Sequence, residues 1–371
     1  MASERKLVII MQTDAGIGSD HASSDLEHVL TEADLELINA LQIAPRATWQ
    51  DAGRILGVRP ATLAVRWERI RRSRVAWITG YSIGDPTAMN LAFVDVDCEP
   101  GRVGEVADAL CEIPEVQSVE LPAGHHDLLL TVFTPTVTDY ARTTGPAILR
   151  VPGVERTQTS LGSRLHLAGH SWRLSALDPA KAAAFAALPA PRPAPGPLPE
   201  ACQDLLPLLM RDGRATAAQM AKILDRNAST VQRQLARVLG SGLMSFRCDV
   251  AHGLVGFPVT CTWYAKVPPG KHAAAAVAVR SLRSVRLAAS VTGQANFIVT
   301  MWLRSVAEVM NAELALQEKI PGIELIESLV MLRIAKRMGV LLDPDGRSLH
   351  RSVVAGGVMP SDLDDSSLPA E

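Results

Sequence analysis

Two stretches of this chain carry arginine, glutamine and hydroxyl side chains at helical spacing, the residue types that hydrogen-bond to base edges and phosphates. In the first, Leu63, Trp67 and Ile70 recur at i, i+4, i+7 and turn inward, leaving Arg59, Thr62, Arg66 and Arg69 on other faces. In the second, Asn227 stands as an N-cap, and Val231, Leu235 and Val238 keep the same inward spacing. That leaves Ser229 and Thr230 at the start of the helix and Gln232, Arg233 and Arg237 along its outer face. Arginine and glutamine pair bidentately with guanine and adenine edges in a major groove about 12 Å wide. Histidines raise a second chemistry, metal binding, at His125-His126 and at His166-x-x-x-His170. The latter pair falls at the end of a predicted strand, where i and i+4 do not converge, and no cysteine or carboxylate lies at matching intervals, so no metal site is assigned. No phosphate-binding loop, GxSxG, HExxH or GxGxxG pattern is present. The reading is therefore of a non-enzyme without a cofactor.

The elements that must position these residues occur twice. Arg46-Ala47-Thr48 with Gly53-Arg54-Ile55-Leu56 returns 168 positions later as Arg214-Ala215-Thr216 with Ala221-Lys222-Ile223-Leu224. At an offset of 169, Gly124-His125-His126-Asp127 returns as Gly293-Gln294-Ala295-Asn296, and Val151-Pro152-Gly153-Val154 as Ile320-Pro321-Gly322-Ile323. Such a period is too long for a solenoid unit and implies a duplicated two-module chain. Each copy opens with helical patterns. In the first, Thr31 and Asp34 form a capping box, Thr48 opens a short helix closed by Gly57, Pro60 starts a third, and Val75 to Tyr81 is a strand or wing. Each copy then changes period to β-α-β-β-α-β, the split ferredoxin-like order.

The predicted boundaries are a mobile arm over 1–29, a winged helix-turn-helix over 30–85 and a ferredoxin-like domain over 86–170. An extended Ala/Pro-rich linker over 171–199 leads to a second winged helix-turn-helix over 200–252 and a second ferredoxin-like domain over 253–340. A disordered tail is expected over 341–371. The fold class is α+β. Net charge is −2, but Asp34 to Gly80 holds eight basic against four acidic residues, and Met89 to His170 five against eleven. A basic module thus stands beside an acidic one. Five scattered cysteines without a CxxC pair, no signal peptide and no apolar run of membrane-spanning length predict a cytoplasmic protein with reduced thiols and no membrane partner.

Helix-turn-helix, wing, then β-α-β-β-α-β resembles the Lrp/AsnC (leucine-responsive or feast/famine) transcriptional regulators in tandem-duplicated form, over about 31–168 and 200–338. Ala61-Thr62-Leu63 through Arg69, Val75 to Tyr81, Gly124 to Leu130 and Val151 to Val154 carry the resemblance. It implies a regulator that binds double-stranded promoter DNA, oligomerises (between chains or as an intrachain pseudo-dimer) and senses an amino acid or similar small molecule. The family's Gly-x-x-Asp loop implies effector contacts at Gly124, His126 and Asp127, and at Gly293 and Asn296. Asn296 offers an ammonium no charge, so the second copy takes a different ligand or none. Arg59 stands where a small hydroxyl residue is usual and is better suited to a phosphate than to a base. Two alternatives stay open: a tetrapyrrole enzyme resembling the siroheme decarboxylases, whose basic and His-bearing stretch is missing between Tyr81 and Asn90, and a ligand-binding or assembly protein with decayed helix-turn-helix modules.

Overall fold

A computed structural model of the 371-residue chain describes residues 30–82, 90–169, 172–189 and 198–354. Helix α1 (Glu32–Ile43) begins in a capping box: the Thr31 hydroxyl accepts from the Asp34 amide, and the Asp34 carboxylate accepts from the Thr31 amide at 2.9 Å. Thr48 caps α2 (Trp49–Leu56), which ends at Gly57 in the left-handed region (φ 72°), where a side chain would be strained. Pro60 is the first residue of α3 (Pro60–Arg72), and Leu63, Trp67 and Ile70 are buried as their spacing requires. Strand β1 (Ala76–Ser82) follows.

A second helical set, α8 (Leu205–Arg211), α9 (Ala217–Ile223) and α10 (Ala228–Gly240), leads into β6 (Met244–Val250). Strands β1 and β6 pair antiparallel, with Thr79 opposite Arg247. Those two residues are 168 positions apart, the offset of the first sequence match.

Between and after these lie β2 (Asn90–Cys98), α4 (Val103–Cys111), β3 (Val116–Ala123), β4 (Leu128–Thr134) and a helical stretch before β5 (Val154–Leu167). That stretch runs α5 (Val137–Asp139), a π turn (Tyr140–Thr144) and α6 (Gly145–Leu149). The later series is β7 (Val259–Lys266), α11 (His272–Arg280), β8 (Val285–Val291), β9 (Phe297–Leu303), α12 (Glu308–Lys319) and β10 (Glu324–Arg337). The two 14-residue strands are long enough to serve two neighbours each. β5 pairs with β2 through Val154 to Gly162 and then with β8 through Gly162 to Leu167. β10 pairs with β7 through Glu324 to Val330 and then with β3 through Val330 to Lys336. The exchange closes eight antiparallel strands into a ring, β10-β3-β4-β2-β5-β8-β9-β7, with Phe93, Leu129, Tyr264, Ile298 and Leu329 in one buried cluster. Helices α4 and α6 cover one outer face, α11 and α12 another.

Two expectations are corrected. The predicted linker contains α7 (Pro179–Ala186), capped by Asp178, with Phe185 and Trp172 buried in the first helical core. The Asn39 side-chain oxygen accepts from the amides of Ala176 and Leu177, which ties the segment to α1. Pro179 sits in the first helical turn, where its missing N–H costs nothing, and alanine favours helix, so the Ala/Pro composition was compatible with a helix after all. Most of the alternating prolines, in residues 190–197, lie outside the described residues. The predicted tail likewise begins with β11 (Val340–Leu342) and β12 (Ser348–Ser352), joined by an Asp343-Pro344-Asp345-Gly346 turn. The Asp343 carboxylate accepts from the Asp345 and Arg347 amides, a turn chemistry that polar composition hides. The expected arm over 1–29 and the tail beyond 354 lie outside the described residues. Among the described residues no helix is long and apolar enough to cross a membrane, and all five cysteines are unpaired and buried.

Candidate functional site

The two long helices α3 and α10 present different surfaces. On α10 the Asn227 side chain caps the helix, accepting from the Ser229 amide at 2.9 Å and the Ser229 hydroxyl at 2.8 Å. Ser229, Gln232 and Arg233 are exposed, while Thr230 and Arg237 are half-buried. On α3, Arg59 occupies the N-cap without a side-chain cap bond, and Arg59 and Thr62 are exposed. Arg66 and Arg69 are engaged elsewhere. Both reach the wholly buried Asp34 of α1, at 3.5 Å and 2.5 Å. One carboxylate therefore closes the α1 capping box and anchors α3, which leaves Arg69 half-exposed and Arg66 largely covered.

The two helical sets are joined by a reciprocal contact. Arg46 donates to the carbonyls of Gly213 and Ala215, and Arg214 donates to those of Pro45 and Ala47 at 2.7 and 2.9 Å. Arg214 also stacks on the Trp49 ring at 4.0 Å. The repeated Arg-Ala-Thr signature was visible in the sequence; its role as a junction was not.

Two of the loop residues expected at an effector, Asp127 and Asn296, hydrogen-bond the backbone. The Asp127 carboxylate accepts from the Cys98 amide at 2.8 Å, and the Asp127 amide donates to Val96. Asn296 does the same work on the opposite side: its side chain accepts from the Val267 amide at 2.7 Å and donates to the Val267 carbonyl at 2.9 Å. Gly124 is needed for close approach, since a Cβ there would stand 2.2 Å from a Leu329 methyl. Gly293 turns its loop with φ 116°. His126 bonds Asp97 at 2.6 Å, and Asp97 also pairs with Arg156; the His126 hydrogen bond leads in holding the Asp97 carboxyl below its usual range. His125 is exposed, 3.5 Å from Glu327, and His170 lies outside the described residues. No group of three metal-ligating side chains occurs among the described residues.

The sequence reading missed a cleft of about 590 Å³ between β5, α11 and β8, on whose wall Asn296 stands. Within it the Ser290 hydroxyl lies 2.7 Å from Nε2 of His166 and 2.7 Å from Nδ1 of His272. Arg164 and Arg280 line the same cleft. Burial, then Arg164, lowers the His166 pKa and favours its neutral form. His272 and Ser290 carry no motif, and only the strand exchange brings them to His166.

Residues 91–165 match the family model described as the Lrp/AsnC ligand binding domain. The HTH-type transcriptional regulator FL11 of Pyrococcus horikoshii is 30% identical over 141 residues, 37% of this chain and 91% of that protein. The leucine-responsive regulatory protein of Escherichia coli K12 is 28% identical over 138 residues, 35% of this chain and 82% of that protein. Among solved structures, the siroheme decarboxylase NirDL is similar in fold, with a TM-score of 0.50 at 12% identity over 85% of this chain and 96% of that one. The chain belongs to the Lrp/AsnC family of HTH-type regulators.

Proposed function

We propose that this protein is a sequence-specific DNA-binding transcriptional regulator, duplicated within one chain, whose two winged helix-turn-helix modules dock on one duplex under the control of a small molecule. The observation that carries this reading is the exposed Ser229, Gln232 and Arg233 face of α10, a helix whose opposite face is locked into a core by Val231, Leu235 and Val238. The reciprocal Arg46 and Arg214 contacts and the β1–β6 ribbon support a fixed spacing between the modules, as a palindrome reader's dimer interface would supply. The two faces differ: α3 offers Arg59 and Thr62, with Arg66 and Arg69 held by Asp34. An asymmetric target fits them better than a palindrome.

The proposed domains are 30–85 with 172–189 packed on it, 86–170, 198–252 and 253–354, the second and fourth ferredoxin-like. In that assignment the strand order β3-β4-β2-β5 is matched by β8-β9-β7-β10. The exchange of β5 and β10 makes each chain its own pseudo-dimer.

A gel-shift titration on the DNA upstream of the protein's own gene, at two salt concentrations, tests the reading. Selective retention that weakens steeply with salt is expected. Retention indifferent to sequence, or none, overturns it.

A further inference from the structure

Resting on the ligand-sensing part of that reading, we infer that the β5/α11/β8 cleft is the effector site and that its ligand is a small organic dianion, a dicarboxylic acid without an ammonium group. The lining of the cleft is basic. Arg164, His166, His272, Arg280 and Ser290 stand together, and no aspartate or glutamate lines the cleft. Such a wall answers carboxylates with guanidinium and imidazole donors and gives an ammonium no counter-charge. Leu165 and Val277 supply apolar surface for a short carbon skeleton, and about 590 Å³ exceeds what a five-carbon acid fills.

The proposed duplication is asymmetric at this cleft. The ring has two strand-exchange junctions, β5 with β8 and β10 with β3. Shifted by 169 positions, His166 becomes Ala335, His272 becomes Val103, Ser290 becomes Leu121 and Arg280 becomes Cys111, while Arg164 becomes Arg333 and keeps its guanidinium. Ala335 and Cys111 belong to one buried hydrophobic cluster at the other junction, and Val103 and Leu121 pack against it. At those four positions the fold is therefore filled by apolar side chains at the other junction. The histidine and serine set, present at one junction alone, is not a requirement of packing, and polar groups brought together without need cost stability.

The polar groups of the cleft are held in place. Ser290 can donate to one imidazole and accept from the other, so both rings are fixed. His166 is held further by stacking on Phe297 at 5.6 Å, and Arg280 by a bond to the His166 carbonyl at 3.2 Å. The ring that accepts from Ser290 keeps its N–H for a carboxylate, and the ring that donates to Ser290 offers a second N–H as an imidazolium.

The test is calorimetric titration of the full chain with 2-oxoglutarate and, separately, with L-glutamate, which differ in an oxo group against an ammonium. Saturable binding of 2-oxoglutarate, at least tenfold tighter than L-glutamate, is expected. Arg280→Gln and His272→Phe should each weaken it tenfold or more. Because Arg280 also holds β5, the exposed Arg164→Gln is the folding-neutral variant and should weaken binding severalfold with an unchanged melting temperature. Equal or tighter binding of L-glutamate overturns the ligand class, and binding that ignores all three substitutions, or no binding of either acid, overturns the site. DNA retention by acid-free protein is read in parallel, so its loss would count against the DNA-binding proposal and not against the cleft.

Discussion

Tyr264 donates its hydroxyl proton to Asp95 at 2.7 Å inside the strand ring, and the two residues are 169 positions apart, the offset at which the sequence matches itself. A symmetric dimer of identical chains would meet there with two carboxylates or two phenols. On the proposed duplication, a single chain allows a donor to face an acceptor where symmetry would forbid it.

Burial raises the Asp95 carboxyl above its ordinary range, with the Tyr264 bond opposing that shift. A carboxyl whose folded pKa lies above its unfolded value contributes stability that is complete below about pH 3.8 and is lost as pH rises through the folded value. Asp95→Asn should therefore show a flatter stability profile than the parent above pH 3.8 in urea unfolding. Tyr264→Phe, which leaves the buried acceptor without its donor, should cost about 1–3 kcal/mol. A parent profile parallel to that of Asp95→Asn would remove the argument.

Lys336 is fully buried and donates to the carbonyls of Cys111 and Ile113, at the end of α4, at 2.9 and 3.0 Å. Burial lowers its ammonium to about 8 from 10.5. The folded state then binds fewer protons than the unfolded chain between those values, so stability rises with pH across that window. The rise relative to Lys336→Met should total on the order of 3 kcal/mol. Identical pH dependence in the two proteins would contradict it.

The Asp127 and Asn296 side chains act as backbone clamps at Cys98 and Val267. Asp127→Ala and Asn296→Ala should each destabilise by about 1–2 kcal/mol, and Asp127→Asn should recover most of the loss because an asparagine, Asn296, already accepts from a backbone amide in this way at Val267. Denaturant midpoints check this. Unchanged stability with abolished ligand binding would return both residues to the effector.

Arg46→Ala and Arg214→Ala each remove charge-assisted bonds to carbonyls of the opposite module and should cost about 1.5–3 kcal/mol. Both should also reduce DNA affinity without altering base preference, since neither arginine is on α3 or α10. A change of preference would mean that they touch DNA themselves.

Local rules made much of this architecture legible. The capping box at Thr31, the closure at Gly57, the cap at Asn227 and the inward residues of α3 and α10 are decided within a few positions of chain, and so are the bounds of β5. The π turn at Tyr140–Thr144 escaped the pattern because a single helical period was read through it. The ring could not be read at all. Nothing in Val154 to Leu167 says where one strand partner ends and the next begins, and the cleft exists only because that exchange carries His166 to Ser290. The engagement of Arg66 and Arg69 was hidden for a related reason. Helical spacing tells which face a side chain leaves from, not that a buried carboxylate on another helix awaits it.

The claim that two modules of one chain read one duplex is tested most directly by footprinting a selected binding site with the parent protein, Arg233→Ala and Thr62→Val. Two protected segments of different sequence about one helical turn, roughly 34 Å, apart are expected. Arg233→Ala should release one segment and Thr62→Val should weaken the other. A single protected segment, or two lost together on either substitution, would contradict it.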